Sequence, residues 1–234
     1  MTLLDEALAA HGGAGALDDA ELVVELRGGG FAFTSHGLPA QWALRAHVGD
    51  PHRPRVEFRD FLRSGRDARF EPERVVVGER ARDHPRRRLG TKHPRWDHLD
   101  MAYFCGYALW NYVTTPWLLR RADVRELPGR RLRARFPPEV PTHSPVQTFH
   151  FGPDGLLTRL DYTALVFGRW ARAAHRCYDH ERFGPIVAPT RRLVTPRAAG
   201  RPLPGPKLVW LHVVDVAVNR SAQGPGSTAS AWAR

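Results

Sequence analysis

Between His143 and Asp179 the chain places imidazole, amide, phenol, thiol and carboxylate groups at strand-like spacing. The turn Gly152-Pro153-Asp154-Gly155 separates two runs with the length and composition of strands, 146–151 and 156–163. If Phe151 faces Leu156 across that turn, Gln147, Phe149 and Phe151 share a face with Leu156, Leu160 and Tyr162. His143 has the same parity just ahead of the strand, while Thr148, His150, Arg159 and Asp161 fall on the opposite face. In the run 171–181, Arg172 and Arg176 share one parity, which leaves Ala173, His175, Cys177 and Asp179 on the inner one. The alternation therefore predicts a mostly apolar face into which His143, Gln147, Tyr162, His175 and Asp179 are set.

Polar groups on an apolar face either satisfy one another or hold a ligand, because leaving them unpaired is costly. His143, Tyr162 and Asp179 could serve as proton donors and acceptors, histidine being the side chain that titrates near neutral pH. His175, Cys177 and Asp179 are all zinc-ligand types pointing one way, but structural zinc sites usually draw on separate elements with knuckle or helical spacing. We assign no metal and no cofactor. No GxSxG, Walker loop, dinucleotide fingerprint, HExxH or deaminase pattern occurs in the sequence.

The element that must face this polar set is the stretch around 97–117. From Met101 to Leu119 there is no Asp, Glu, Lys or Arg, although one quarter of the chain is charged. Five aromatics fall between Tyr103 and Tyr112, and apolar side chains cover every side of a helix drawn through them. Asp97 with Asp100 three residues on marks the start as a carboxylate cap, and Pro116 marks the end. The uncharged helical part falls short of the roughly 20 residues of a membrane span, so a buried core helix at 97–114 is predicted. Tyr103, Tyr107 and Trp110 are then either core packing or one wall of a pocket on which His143, Gln147, Tyr162, His175 and Asp179 converge, with Gln147, Phe149 and His175 as ligand contacts. That pocket is expected to be partly open. Cys105, in the same helix, is expected to be a core residue. Asn111 needs a hydrogen-bond partner wherever the helix packs.

Around this helix the chain reads as strands. Residues 3–10 suggest a short helix stopped by Gly12 and Gly13, followed by strands at 21–27, 41–48, 55–61, 66–70 and 74–79. A basic linker at 80–95 leads to the helix, after which strands are predicted at 124–127, 131–136, 146–151, 156–163, 171–181, 186–194 and 208–218. The expected fold is mainly β: a strongly curved antiparallel sheet or half-barrel of about 11 strands wrapped round one central apolar helix. Residues 1–220 are read as one β-cup domain and 221–234 as a disordered tail.

The order of short helix, HGG turn, meander, apolar helix and longer meander resembles the half-barrel of LolA-like lipoprotein carriers and lipid-binding lipoproteins. The strings AYFCGYALWNYVTTPWLL, THSPVQTFHF, WARAAHRCYDH, PTRRLVTPR and GRPLPGPKLVW resemble a family of uncharacterised proteins common in high-GC bacteria. The LolA-like resemblance implies an apolar ligand between sheet and helix; unlike those carriers, the chain is expected to have neither an export leader nor a lipobox cysteine.

Composition narrows the partners. Lys plus Arg exceed Asp plus Glu by 35 to 24, and only Lys92 and Lys207 are lysines, a skew that GC-rich coding produces. Nucleic acid is not the expected partner, since the densest basic stretch, with Arg86, Arg87 and Arg88, lacks interleaved aromatics. The two cysteines, Cys105 and Cys177, fit a reducing compartment, so a cytoplasmic location is expected. Together these readings predict a soluble binding protein for a hydrophobic or amphipathic small molecule. The alternative is a cyclase- or isomerase-type enzyme acting on a lipid- or polyketide-like metabolite in the same cup.

Overall fold

The computed structural model describes residues 1–85 and 95–220. Most of the predicted basic linker, including Arg86, Arg87 and Arg88, and the predicted tail at 221–234 lie outside them. Helix α1 (Leu3–Ala10) is followed by β1 (Ala20–Gly29), a single-turn helix α2 (Phe31–Thr34), and strands β2 (Gln41–Val48), β3 (Val56–Arg59), β4 (Ala68–Glu71), β5 (Arg74–Val77) and β6 (Arg80–Asp83). The long helix α3 (His98–Thr114) comes next. Strands β7 (Asp123–Leu127), β8 (Arg131–Arg135), β9 (Val146–Phe151), β10 (Leu157–Thr163), β11 (Arg172–Phe183), β12 (Ile186–Ala198), β13 (Arg201–Pro202) and β14 (Val209–Arg220) complete the described chain.

All fourteen strands form one antiparallel sheet in the order β6-β5-β4-β3-β2-β1-β14-β12-β11-β10-β9-β8-β7, with β13 added on β12. The first and last strands, β1 and β14, pair along ten residues of β1 and weld two meanders together. This leaves β6 and β7, neighbours in sequence, as the two edges of the sheet. The connection between them is α3, so the helix crosses the concave face from one edge toward the other. A helix so enclosed cannot carry a polar stripe, and from Leu99 to Thr114 every residue is buried. The fold is the curved antiparallel sheet around a central apolar helix that the sequence predicts.

Local chemistry sets where α3 begins. The Asp97 carboxylate accepts from the backbone N–H of Leu99 (2.9 Å) and Asp100 (3.0 Å), and the Asp100 carboxylate accepts from that of Asp97 (3.1 Å). Arg82 of β6 clamps both carboxylates, at 2.6 Å to Asp100 and 2.7 Å to Asp97, and ties the helix start to the sheet edge. At the other end Thr115 is extended ahead of Pro116. One contiguous apolar core joins α1, α3 and both meanders.

Besides the two-residue β13, which no predicted strand covers, two elements differ from expectation. Residues 80–83, read as linker, are the edge strand β6; its sequence RARD offers one apolar residue, and a charged edge strand resists pairing with other chains. The glycine-bounded stretch 31–34 forms α2, too short for any periodicity to announce it.

Candidate functional site

Tyrosine and histidine side chains from α3, β10, β11 and the loop before β9 meet in one buried cluster. Tyr107 and Tyr112, five residues apart on α3, hydrogen-bond the two ring nitrogens of His143, Nδ1 at 3.0 Å and Nε2 at 3.1 Å. A neutral imidazole offers one donor and one acceptor, which two hydroxyls can match. The His143 ring stacks on Tyr162 at 4.2 Å and 11°, and the Tyr162 hydroxyl reaches His175 Nδ1 at 3.4 Å. His175 in turn meets the Tyr112 ring edge-on at 4.9 Å. Gln147 lies below, donating to the carbonyl of Ser144 at 3.3 Å. The parity reading thus places His143, Gln147, Tyr162 and His175 on one inner face, opposite Tyr107.

Burial dominates the electrostatics of this cluster. It pushes the Tyr162 hydroxyl well above its ordinary value, with Tyr112 adding to the effect, and raises Tyr112 against the opposing charge of Arg192. It also holds His175 well below the imidazole range, with Arg192 and then His143 adding to the effect. The expected open pocket is not found at these residues. His143, Gln147, Tyr162 and His175 are all buried, and the ring-to-hydroxyl pairings fill the space that a substrate would need.

Asp179 is not brought to the cluster. Its φ of 53° twists the backbone of β11 without breaking the pairing, which runs in one register from Tyr178 opposite Arg191 to His180 opposite Pro189, and the inward and outward facing of the side chains slips by one there. Asp179 is consequently exposed and binds Arg191 at 2.6 Å, which lowers its carboxyl. His180 takes the inward parity instead. Leu156 also moves: it belongs to the turn, Leu157 is the partner of Phe151, and a register shift between Leu157 and Arg159 restores Leu160 and Tyr162 to the inner face. Of the remaining predicted residues, Phe149 packs near Phe136 and Tyr103 against Phe70 of β4. The Trp110 indole donates to the Pro51 carbonyl at 2.9 Å, in the turn between β2 and β3. Asn111 donates to the carbonyls of Tyr107 and Pro141, which answers its need for partners.

Two groups escaped the sequence reading. Arg192 of β12 is 3% exposed, with its guanidinium 4.6 Å over the Tyr112 ring. Since alternate strand residues face opposite sides, one of the adjacent pair Arg191 and Arg192 had to turn inward, and that was the available signal. The other is His11, just past α1, wholly buried among Ala7, Leu157 and the Trp117 ring.

Burial brings His11 down to about 4 against the hydrogen bond from its Nδ1 to the Ala7 carbonyl. The unfolded chain therefore takes up a proton near pH 6.5 that the folded chain refuses until about 4, and stability falls as pH is lowered through that window. The full effect of this one group is about 3 kcal/mol. Urea unfolding between pH 7 and 4 should show a smaller loss for His11→Asn than for the unmodified chain; parallel profiles would contradict the assignment.

A narrow crevice separates α3 from β1, β2 and β14. It is lined by Leu26, Phe33, Trp42, Leu44, Phe58, Phe104, Cys105, Ala108, Leu109, Tyr112, Val209 and Leu211, and no charged group among the described residues borders it. Its volume is about 20 Å³, room for roughly one water. The close backbone neighbours of α3 are β3, β4, β5 and β6, while the gap toward β14 and β12 is spanned by side chains such as Tyr112. Burial raises the Cys105 thiol, consistent with an inert core residue.

No protein-family model and no curated protein matches the sequence. Its architecture resembles that of a LolA superfamily protein from Nitrosomonas europaea, with a TM-score of 0.50 and 11% identity over 93% of this chain and 94% of that one. Two further solved structures align at lower scores. A domain described as an outer membrane lipoprotein-sorting protein from Vibrio parahaemolyticus gives 0.47 at 8% identity, over 93% and 91% of the two chains. A DUF1329 family protein from Desulfovibrio piger gives 0.43 at 9%, over 95% and 93%. The fold is LolA-like. At such identities the likeness is one of fold. No helix among the described residues is long and apolar enough to cross a membrane.

Proposed function

We propose that the chain binds a hydrophobic or amphipathic small molecule between the curved sheet and α3. The observation that supports this most is the crevice itself, which is apolar along its whole lining and runs beside the helix face turned away from its close backbone neighbours β3 to β6. A crevice of about 20 Å³ has room for roughly one water, so an occupant must displace side chains, Tyr112 and Phe104 among them, to enter. The LolA-like fold agrees with this reading, since a half-barrel closed by one helix can open without losing sheet hydrogen bonds. Catalysis gains no comparable support, because His143 is enclosed by Tyr107, Tyr112 and Tyr162.

The test is titration of the purified protein with 1-dodecanol, a neutral amphiphile, by calorimetry. Saturable binding is expected, together with at least a tenfold loss in Ala108→Leu, which fills the crevice from the helix side. No binding, or binding indifferent to Ala108→Leu in a variant that folds, would overturn the placement.

A further inference from the structure

Arg192 brings a full positive charge into the core, and the described residues supply no anion for it. Its inward position follows from the register: Arg192 stands opposite Cys177 on β11 and Leu211 on β14. The hydrogen-bond partners of the guanidinium are the Cys177 sulfur, 3.4 Å from Nη1, and the Tyr112 carbonyl, 3.2 Å from Nη2. Nε is buried and has no partner. Guanidinium carries five N–H donors, and buried arginines are ordinarily neutralised by carboxylates. A thiol and a carbonyl do not neutralise a charge, and desolvating one without a counter-charge costs several kcal/mol.

The surroundings specify what is missing. On β11 the inward side chains flanking Cys177 are His175 and His180, and each has a buried Nε2 without a partner. Neither adds charge at neutral pH, because burial and then Arg192 lower both imidazoles, and His11 beyond them is held at about 4. The site therefore offers a single positive charge beside neutral hydrogen-bonding groups, which suits a monoanion better than a dianion. It also adjoins the crevice. Tyr112, whose ring lies under the guanidinium and whose carbonyl accepts from it, and Leu211, its neighbour on β14, are both crevice walls. An apolar crevice that ends one side chain away from an uncompensated cation matches, once opened, a molecule with an apolar chain and one anionic end.

We propose that Arg192 receives the carboxylate of a long-chain amphiphile whose chain lies in the crevice beside α3. This rests on the crevice being the ligand site, and it adds the head group: a carboxylate that pairs with the guanidinium and accepts at Nε, where no partner now stands. Tyr112 separates crevice from cation, and its displacement joins them. Its ring then no longer covers the guanidinium, and the ligand carboxylate takes over as the neutralising contact.

The experiment compares sodium dodecanoate, 1-dodecanol and acetate by calorimetry at low salt, on the unmodified protein and on Arg192→Met. Dodecanoate should bind the unmodified protein at least tenfold tighter than dodecanol, and acetate not measurably. In Arg192→Met the preference for the carboxylate should vanish while dodecanol binding persists. Equal binding of dodecanoate and dodecanol by the unmodified protein overturns the anion site and leaves the crevice standing; it would make Arg192 a structural cation held by Tyr112. Binding of neither overturns both proposals, and acetate as tight as dodecanoate overturns the placement of the chain. If Arg192→Met does not fold, the head-group comparison on the unmodified protein still decides.

Discussion

Replacing Trp110 by alanine should cost about 3–5 kcal/mol, a third or more of the stability of a typical domain. The side chain is wholly buried at the centre of α3 and is the largest of the fully buried group. Its loss removes the transfer free energy of an indole and leaves a cavity that a rigid helix cannot close. It also removes an anchor between helix and sheet. The indole N–H donates to the Pro51 carbonyl at 2.9 Å, and Arg121, which lies 5.8 Å over the ring, donates to the next carbonyl, that of His52, at 3.0 Å. Trp110→Phe keeps most of the volume and leaves the Pro51 carbonyl unpaired, so about 1–2 kcal/mol of the loss should remain. Urea unfolding of the two variants separates packing from hydrogen bonding. A midpoint for Trp110→Ala within 1 kcal/mol of the parent would mean that α3 is not held through this residue.

Much of this architecture is legible because the relevant signals are local. The absence of charge from Met101 onward and the pair Asp97 and Asp100 place α3 and its cap, and strict alternation places β2 and β9 at the bounds observed. The same alternation brings His143, Gln147, Tyr162 and His175 to one face. Where it fails, the side chains break their period while the pairing continues: one residue with φ of 53° turns Asp179 outward and His180 inward, and nothing in the string CYDHERF announces that twist. Closure of the polar cluster was also out of reach. Parity says which way side chains point, but the match between two tyrosines on a helix and both nitrogens of His143 depends on the distance between layers. Arg192 was hidden for a different reason: composition makes arginine common in this chain, so one inward arginine does not stand out until the sheet shows what surrounds it.

The distance between layers is itself set at one residue, and replacing it should show this by the sign of the effect. Glycine inside a helix costs about 1 kcal/mol relative to alanine, so Gly106→Ala would ordinarily stabilise α3. Here a Cβ on Gly106 would stand 2.2 Å from both Cβ and Cγ of Phe70 on β4, closer than any two side-chain carbons approach. Phe70 cannot yield, since it is fully buried and packed edge-on against Tyr103 at 5.6 Å. The overlap involves the Cβ of Phe70, so rotating its ring does not relieve it and the helix must move away from β4. Moving it drives Tyr107 and Tyr112, on other sides of α3, into the rings of His143 and His175. Overpacking of this kind costs about 1–3 kcal/mol, and with two layers disturbed it should lie at the upper end and exceed the propensity gain, for a net loss of about 1–2 kcal/mol. For the same reason Phe70→Ala, which retains the offending Cβ, should not rescue Gly106→Ala. Equilibrium unfolding reads the sign directly. A Gly106→Ala chain as stable as the parent or more so would show that α3 does not lie this close to β4, and the gap on the Arg192 side would then have to be smaller than it is.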